Sequence, residues 1–542
     1  MGVRTISANC IKLAAFSPRK RVLIVNCYFD DTRRPIRRTT KIPQAVGPIY
    51  LAGAFARELC DVICYTELAS GPLEDEHLLS WPDMLVLTGL TNSFDRMLHL
   101  TAYARTKNAR VIVVAGGPPV RALPFLSKRF FDYSCLGDIE ELREVIMDAF
   151  GPAYVTQQMI PRYDLAYWLG RTGYIESTRY CNFHCSFCSL TGEGHAYQTY
   201  DLGHIRQEIV ACGRRKRVFF LDNNFYGNSR PHFRARIELI NELRSAGQFR
   251  NWSALVTNDF FRQDENLTLV KDSGCELLFS GVESFDTQWL RSVNKVQNTS
   301  VPQVNLIRKC LDAGIVFTYG LILDVTNRHI ADLRRELQFI TATPEITLPS
   351  FVSLPIPLLG TPYFFDCLKK GTILPATKLR DLDGTTVSQT PLDPIGEVVK
   401  FLDDLQDFRG FRRRVINHSF QFARLYHAKL DVLQMCIALG SNLLLCAPNF
   451  VTSPKGFRRR KGSGPRTFIS STEPLDHLYK PAFPVASRFE GYFQPTMVTN
   501  ANGQLHEDVG ELIAYSTGTS PLPAELPASR HLDNRKSSPA VA

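Results

Sequence analysis

The chain has 542 residues, of which 44% are hydrophobic and 21% charged, and it contains 35 Phe, 19 Tyr, 34 Gly and 32 Pro. This length and composition can bury two or three cores, which excludes a wholly disordered protein, a collagen-like repeat and a low-complexity scaffold. The 63 Lys and Arg exceed the 53 Asp and Glu by 63 − 53 = 10, a mild excess that permits an anionic partner without identifying one.

No uninterrupted apolar run reaches about 18 residues, so the sequence predicts no membrane-spanning helix. Residues 1–20, a short N-terminal extension, lack a continuous apolar segment and a small-residue cleavage site, which predicts an uncleaved, cytoplasmic protein. Most of the 14 cysteines lie singly inside apolar stretches, where reduced thiols behave as small core residues.

Residues 21–151 alternate short apolar runs with helical stretches. RVLIVNCY, DMLVLTGLT and ARVIVVAGGPP are each typical of a buried parallel strand closed by a turn with Gly or Asn. The pattern predicts an open, doubly wound parallel α/β sheet, in which ligands sit beyond the carboxyl ends of the strands. No strand end carries G-x-G-x-x-G, which disfavours a dinucleotide site.

After a linker at 152–172, residues 173–368 show a second alternation. Six strands are predicted there, at 174–177, 217–222, 252–257, 276–281, 315–323 and 350–355. Six strand–helix repeats predict a partial (β/α)6 barrel with its chemistry at the carboxyl ends of the strands. The region 369–516 is predicted to face substrate or membrane, with helices over 394–447 and a basic loop at 452–466, before a disordered tail at 517–542.

A cysteine cluster follows the first barrel strand. YCNFHCSFCSL places Cys181, Cys185 and Cys188 in a C-x-x-x-C-x-x-C array on one short loop. A closed zinc site needs four ligands, and the nearby His184 and His195 do not follow common zinc spacings. Three thiolates on a four-iron cluster leave one iron open to a substrate or cofactor. A zinc loop and simple buried thiols are the alternatives.

This array, with Phe183, Phe187 and the strand before it, resembles the radical S-adenosylmethionine (SAM) superfamily. The resemblance implies a [4Fe-4S] cluster on the three cysteines that binds SAM at its open iron, with electrons from a flavodoxin- or ferredoxin-type donor. It also implies SAM contacts from LDNNFYG and FSGVES, at the ends of the second and fourth strands, through Asp222, Asn223, Asn224, Glu283 and Ser284. Turn asparagines and a solvated carboxylate are the alternatives.

The first segment resembles the cobalamin-binding domains that precede the barrel in one large radical SAM class. QAVGPIYLAGAF, LTGLTNSF, VVAGGPP and FDYSCLGDIEEL occur in the order of that class. The resemblance implies a cobalamin contacted by Thr88, Thr91, Gly116 and Gly117. The chain has NCYFDDTRRP where classical domains carry D-x-H-x-x-G, so no lower histidine ligand for cobalt is expected. A flavodoxin-like domain that binds nothing is the alternative.

The two cofactors together imply methylation of an unactivated carbon. More closely, DLAYWLG, TRYCNFHCSFCSLTGEG, ALVTNDFFR and ITLPSFVSLPIPLLGTPYF resemble bacterial hopanoid C-2 methylases, within a similarity over about residues 21–420. That resemblance implies a polycyclic triterpenoid lipid as the substrate. A cobalamin-dependent oxidative cyclase or hydroxylase of tetrapyrroles and a non-catalytic cluster- and cobalamin-binding sensor are the alternatives.

The C-terminal region suggests peripheral attachment to the inner face of the cell membrane. DVLQMCIALGSNLLLC is apolar and lies between Arg412-Arg413-Arg414 and Arg458-Arg459-Arg460-Lys461. Such a helix can lie on an anionic surface and collect a lipid from it. A buried helix beside solvated arginines is the alternative. No nucleic-acid recognition motif accompanies the arginines, so no nucleic-acid partner is predicted.

Overall fold

The computed structural model describes residues 19–29, 45–407, 409–446, 467–470 and 479–507, together with Val509. The predicted extension before residue 19, the basic loop at 452–466 and the tail at 517–542 lie outside these residues. The predicted α/β class is confirmed: two parallel sheets of five and six strands follow one another along the chain, each with helices packed on it.

The first sheet has the strand order β2-β1-β3-β4-β5, and its strands are all parallel. Its strands are β1 (Lys20–Asn26), β2 (Cys60–Thr66), β3 (Met84–Thr88), β4 (Ile112–Gly116) and β5 (Tyr133–Cys135). The three predicted strands are β1, β3 and β4. The chain places β2 on one side of β1 and then β3, β4 and β5 on its other side. Such a switch point in the strand order, here between β1 and β3, opens a crevice at the carboxyl edge of the sheet.

Helices cover both faces of this sheet because the central strands are apolar on both faces. Val22, Leu23, Ile24 and Val25 of β1 are all fully buried, as expected for a parallel strand between two helix layers. The helices are α1 (Gly47–Ala52), α2 (Glu67–Ser70), α3 (Glu76–Ser80), α4 (Phe94–Lys107), α5 (Pro118–Ala122), α6 (Pro124–Phe130) and α7 (Glu141–Phe150).

The second sheet has the order β13-β12-β11-β10-β9-β6, again parallel, and confirms the predicted partial barrel. Its strands are β6 (Thr172–Ile175), β9 (Arg217–Phe220), β10 (Asn251–Leu255), β11 (Cys275–Glu283), β12 (Val316–Ile322) and β13 (Phe351–Ser353). Between β6 and β9, β7 (Thr178–Arg179) and β8 (Gln198–Thr199) form a short antiparallel ribbon. Phe220, Phe225 and Trp252 fill the core with ring centroids 5.0 to 5.7 Å apart.

Eight helices in the described chain follow the barrel strands or the loops between them. They are α8 (Ser189–Glu193), α9 (Leu202–Cys212), α10 (Arg230–Ser245), α11 (Asp264–Asp272), α12 (Thr287–Ser292), α13 (Gln303–Asp312), α14 (Ile330–Ala342) and α15 (Pro362–Lys370). The predicted helical region follows as α16 (Ile395–Asp407), α17 (Arg409–Tyr426) and α18 (Val432–Cys446).

The chain beyond residue 369 divides between the two sheets. Helices α16–α18 contribute to the barrel core, whereas residues 479–498 pack against α4 of the first sheet. Asp95 of α4 accepts hydrogen bonds from the Tyr479 hydroxyl at 2.7 Å and the Thr496 amide at 3.1 Å. The His99 ring stacks on Phe493 with centroids 4.6 Å apart. The last described segment therefore belongs to the core of the first domain.

Helix α18 packs on the amino-terminal end of the barrel, opposite the edge where chemistry is expected. The Gln434 side chain is buried, and its Nε2 donates to the carbonyls of Glu276 and Gly314, next to the first residues of β11 and β12. Asn442 donates to the Ser419 hydroxyl on α17. The polar residues that interrupt this apolar segment therefore anchor it to protein. Within the described residues, no helix has the length and apolarity of a bilayer span.

Candidate functional site: two cofactor sites at facing sheet edges

The cysteine array lies in the loop between β7 and β8, beyond the carboxyl end of β6. Tyr180, the residue before the array, has a φ of +64°, which a non-glycine residue adopts only where its surroundings hold it. Cys185 is buried, and Cys181 and Cys188 are half-buried. The three thiols are thus carried by one folded loop of eight residues at the mouth of the barrel.

Segments distant in sequence hold this loop in place. The Ser186 amide donates to the Val293 carbonyl at 3.0 Å, and the Tyr363 amide donates to the Ser186 carbonyl at 3.0 Å. Asn294 Nδ2 donates to the His184 carbonyl, and Gln297 Nε2 donates to Cys185 Sγ at 3.4 Å. The position of the loop is therefore set by protein contacts on several sides, as a preorganised ligand set requires.

The burial of the thiols favours their binding to metal over free thiolates. Burial raises the pKa of Cys181 to about 11, so a bound metal must supply the stabilisation of the thiolate. Among the described residues, no three His, Cys, Asp or Glu side chains are grouped so as to hold a single metal ion.

A buried cation and an unpaired acceptor lie beside the loop. Burial disfavours the charged form of Lys295, but Glu283 and then Cys185 outweigh it and raise the pKa of the ammonium group. Gln297 Oε1 is buried without a hydrogen-bond partner, although its Nε2 contacts Cys185. A buried acceptor of this kind requires a donor. The amino group or ribose hydroxyls of a ligand at the cluster would supply one, so the residues present fit the implied cofactors.

Of the three predicted SAM residues after β9, two are buried and make structural contacts, and one is exposed. Asp222 is fully buried and accepts hydrogen bonds from the Ser177 and Thr178 amides, while Arg236 lies 3.2 Å from its Oδ2. Asn224 is also buried, and its Nδ2 donates to Asn182 Oδ1, inside the cysteine array, at 2.7 Å. These contacts support the strand end and the loop. Asn223 between them is exposed.

Of the two predicted SAM residues after β11, one faces the cysteine loop and the other is buried behind the strand. Glu283 has a φ of +61° beside a β-bulge, and its Oε1 lies 3.1 Å from Lys295 Nζ. Ser284 is fully buried: its hydroxyl donates to Glu336 Oε1 at 2.5 Å and accepts a bond from Arg328 at 3.1 Å. Glu283 therefore reaches the cysteine loop through Lys295, whereas Ser284 belongs to a buried network behind the strand.

A cavity of about 150 Å³ lies at the carboxyl edge of the first sheet. Of the predicted cobalamin residues, Thr88, Gly116 and Gly117 line it, and Thr91 is buried outside it. Gly117 has a φ of +102°, and a Cβ there would lie 3.2 Å from the Gly89 carbonyl. Only a glycine therefore fits where the ends of β3 and β4 approach each other beside the cavity. A cavity of this size accommodates part of a large cofactor, with the remainder over the open edge.

Contacts between the two sheet edges bring the cavity and the cysteine loop together. The hydroxyl of Tyr180 donates to Oδ2 of Asp138, which lines the cavity. Arg121, which also lines it, lies 2.5 Å from Glu193 Oε2 on α8, just after the cysteine array. A ligand in the cavity and a ligand on the thiols would therefore face each other across one interface.

Residues 175–337 match the family model of the Radical SAM superfamily. This stretch forms a radical SAM domain. It contains the three cysteines and four of the six barrel strands in full, and a domain of this family implies a [4Fe-4S] cluster and SAM. The cysteine loop lies above the carboxyl edge of β9 to β12, the edge at which barrels of parallel strands carry their active sites.

Characterised methyltransferases are among the similar proteins. The chain is 24% identical over 302 residues, 51% of its length, to the hopanoid C-2 methylase of Rhodopseudomonas palustris, and spans 56% of that protein. It is 30% identical over 200 residues, 35% of its length, to the bacteriochlorophyllide d C-12(1)-methyltransferase of Chlorobaculum tepidum, and spans 41% of that protein. The chain thus covers less than two thirds of either relative.

The fold of both domains together resembles a solved enzyme. The cobalamin-dependent SAM radical enzyme OxsB, with aqua-cobalamin and SAM bound, superposes with a TM-score of 0.52 at 15% identity. The superposition covers 80% of this chain and 73% of OxsB. This similarity shows that the pairing of a doubly wound sheet with a partial barrel is a known architecture.

Sequence reasoning missed residues that the structure brings to the site. Gln297 lies in a short 3-10 helix, Val296–Asn298, after α12, and Lys295 directly precedes it, in a stretch whose composition gives no sign of a site. Tyr180 and Asp138 belong to segments that were recognised, but nothing in either segment indicates that they contact each other. The one available signal is position: Tyr180 immediately precedes the array, and Asp138 lies in the turn after the last strand of the first sheet.

Proposed function

We propose that this protein is a cobalamin-dependent radical SAM methyltransferase that adds a methyl group to an unactivated carbon of a hydrophobic substrate. The observation that carries the proposal is the hydrogen bond from Tyr180 to Asp138, because it joins the residue before the cluster ligands to the wall of the glycine-lined cavity. Methyl transfer by this chemistry needs its two cofactors side by side around one substrate.

Different residues of the chain bind each of the three cofactors in this proposal. In this proposal Cys181, Cys185 and Cys188 hold the cluster, exposed Asn223 and half-buried Glu283 face SAM, and the cavity at Gly116 and Gly117 takes cobalamin. When bound, the cluster and SAM supply hydrogen abstraction and cobalamin supplies the methyl group. An external one-electron donor completes the system.

We propose a hopanoid, methylated at C-2, as the substrate. The support is the similarity to the Rhodopseudomonas palustris hopanoid C-2 methylase over 302 residues. A saturated polycyclic hydrocarbon has no lone pair or acidic proton at that carbon, so methylation there requires the radical chemistry that these cofactors provide. Tetrapyrrole methylation is the second candidate, because the bacteriochlorophyllide methyltransferase is the more identical relative over its shorter match.

Attachment to an anionic membrane surface belongs to the same proposal, and α17 supports it better than α18. Arg413, Ile416, Phe420 and Arg424 follow the helical repeat and are all exposed, Phe420 by 72%. Two large apolar side chains between two arginines form a face suited to the headgroup region of a bilayer. Co-sedimentation with phosphatidylglycerol vesicles tests it, and binding that does not weaken in the Arg413→Ala/Phe420→Ala double variant contradicts it.

Lipid analysis of a hopanoid-producing host, with and without this protein, tests reaction and substrate together. We expect a new triterpenoid one methyl group heavier, with that methyl derived from labelled methionine. A Cys185→Ala variant should give no such lipid and no 5′-deoxyadenosine, while a Cys275→Ala variant, which changes a buried cysteine outside the array, should retain both. A methylated tetrapyrrole would select the second candidate, and SAM cleavage without any methylated product would contradict methyl transfer.

A further inference from the structure

A second cavity, which shares no lining residue with the cavity of the first sheet, lies between α14, α16 and α17. It has a volume of about 340 Å³, within the range of small-molecule sites. Its lining residues are Arg334, Leu337, Gln338 and Thr341 of α14, Phe401 and Leu405 of α16, and Phe411 and Arg414 of α17. None of them contacts the cysteine loop or the first sheet's cavity, so the proposed function leaves this cavity unused.

The cavity has an apolar floor and a basic rim. Leu337 and Phe401 are buried, Leu405 and Phe411 are half-buried, and together they form a floor of alkyl and aromatic carbon. Arg334 and Arg414 are exposed at the rim, and no carboxylate is among the lining residues whose side chains the structure describes. An apolar ligand of suitable size would gain free energy by displacing water from this floor.

Neither rim arginine has a carboxylate partner among the described residues. The Arg334 guanidinium lies 5.5 Å from the centre of the Phe401 ring, which holds it over the cavity without neutralising it. Within the part of the chain that the structure describes, neither Arg334 nor Arg414 forms an ion pair. The adjacent Arg335, which does not line the cavity, is paired with Asp332 one turn before it. The rim therefore keeps two positive charges available for an anion.

We propose that this cavity binds an amphiphile with one anionic head group, a carboxylate or a phosphate monoester, and a single apolar tail. Planar guanidinium groups bind both head groups through paired, charge-assisted hydrogen bonds. The tail lies on Leu337, Phe401, Leu405 and Phe411. The two rim charges repel a cationic head group, and a neutral alcohol of the same length gains only the burial of its tail. The ligand is thus selected by its charge at the rim and by its hydrocarbon in the floor.

Calorimetric titration of the intact protein with dodecanoate, dodecyl phosphate, dodecanol and inorganic phosphate, below micelle formation, tests the site. Both anionic amphiphiles should bind more tightly than dodecanol, and inorganic phosphate should not bind. Each of Arg334→Ala and Arg414→Ala should weaken dodecanoate by about tenfold, the loss expected for one charged hydrogen-bond partner. Arg335→Ala, next to Arg334 on α14 but outside the cavity, is the matched control and should leave the affinity unchanged.

A substitution in the cavity floor and a vesicle-binding measurement complete the experiment. Leu405→Trp fills the cavity and should abolish binding of every tailed ligand while a retained melting temperature shows that the protein is folded. The proposal is overturned if the Arg334→Ala/Arg414→Ala double variant binds dodecanoate like the unchanged protein, or if only phosphatidylglycerol vesicles, and no monomeric amphiphile, bind through these arginines. The titrations need neither cluster nor cobalamin, so their result is independent of whether the protein is a methyltransferase.

Discussion

Lys295 Nζ lies 3.1 Å from Glu283 Oε1, and both side chains stand beside the loop that carries the three cysteines. Lys295 is 7% exposed, so its charge acts in a medium that screens it weakly. The same ammonium group interacts with Cys185 and Cys188. Glu283 thus holds a positive charge next to the cluster ligands in addition to its predicted role toward SAM.

Replacing this buried charge should change the redox behaviour of the cluster. Lys295→Met removes one positive charge near the thiolates, so the oxidised, less negative cluster is favoured and the reduction potential falls by tens of millivolts. A redox titration followed by electron paramagnetic resonance measures the shift. Lys271→Met is the control, because Lys271 Nζ donates to the Gly314 carbonyl at the opposite end of the barrel. Equal potentials in the two variants would show that Lys295 does not act on the cluster.

Cobalamin retention should depend on Gly117. Gly117→Ala forces an L side chain into a φ of +102° and brings its Cβ to 3.2 Å from the Gly89 carbonyl at the edge of the cavity. We expect a loss of stability of about 1–3 kcal/mol and weaker binding of hydroxocobalamin, measured by absorbance after desalting. Gly151 has the same φ of +102° with open space around it, so Gly151→Ala is a matched control for backbone strain. It should lose stability without losing cobalamin, and similar cobalamin loss in both variants would argue against the cavity as the site.

The sequence predicts the elements of this protein better than the contacts between them. The six barrel strands are detectable because each is a compact apolar run between helical stretches. In the first sheet, β2 and β5 are not among the three apolar runs that predict strands, because exposed Asp61 interrupts the run of β2 and β5 has only three residues. Periodicity carries no information about strands that are this short or this exposed.

The candidate site shows the same limit. A motif of eight residues predicts the cysteine array, because all of its members lie on one loop. By contrast, Asn224 bonds to Asn182 and Ser284 bonds to Glu336, partners 42 and 52 residues away in sequence. Nothing local distinguishes such buried structural residues from exposed Asn223, which stands in the same string. The fold decides which polar residue of a strand end faces the barrel mouth.

The free energy of unfolding should fall as the pH rises from 4.5 to about 8, because in this range Glu208 is protonated in the folded protein and ionised in the unfolded protein. Burial raises the pKa of Glu208 to about 8, while Tyr50, Tyr163 and the Glu176 amide donate hydrogen bonds to its carboxyl group. Between the ordinary pKa of 4.5 and about 8, the folded state binds one more proton than the unfolded state. The contribution of Glu208 to the free energy of unfolding therefore decreases by about 1.4 kcal/mol per pH unit.

Urea unfolding at several pH values between 5 and 8.5 measures that slope. Glu208→Gln keeps a neutral side chain of the same shape and should remove this part of the pH dependence, becoming the relatively more stable protein toward pH 8.5. Because Tyr50 lies on α1 and Glu208 on α9, the effect reports on the contact between the first sheet and the barrel. Parallel pH profiles in the two proteins would refute the assignment of a protonated Glu208.

The ion pair between Arg236 and Asp222 should be the most costly polar contact to break in the barrel. Arg236 Nη1 lies 3.2 Å from Asp222 Oδ2, and their side chains are only 2% and 0% exposed. Arg236→Met leaves a buried carboxylate without its cation, which typically costs about 3–5 kcal/mol. Arg234→Met on the same helix breaks an exposed pair with Glu265 and should cost less than about 1 kcal/mol. Urea unfolding compares the two variants, and similar losses would mean that Asp222 takes up a proton when its partner is removed. In that case the Arg236→Met deficit should shrink as the pH is lowered, because the neutral acid needs no cation.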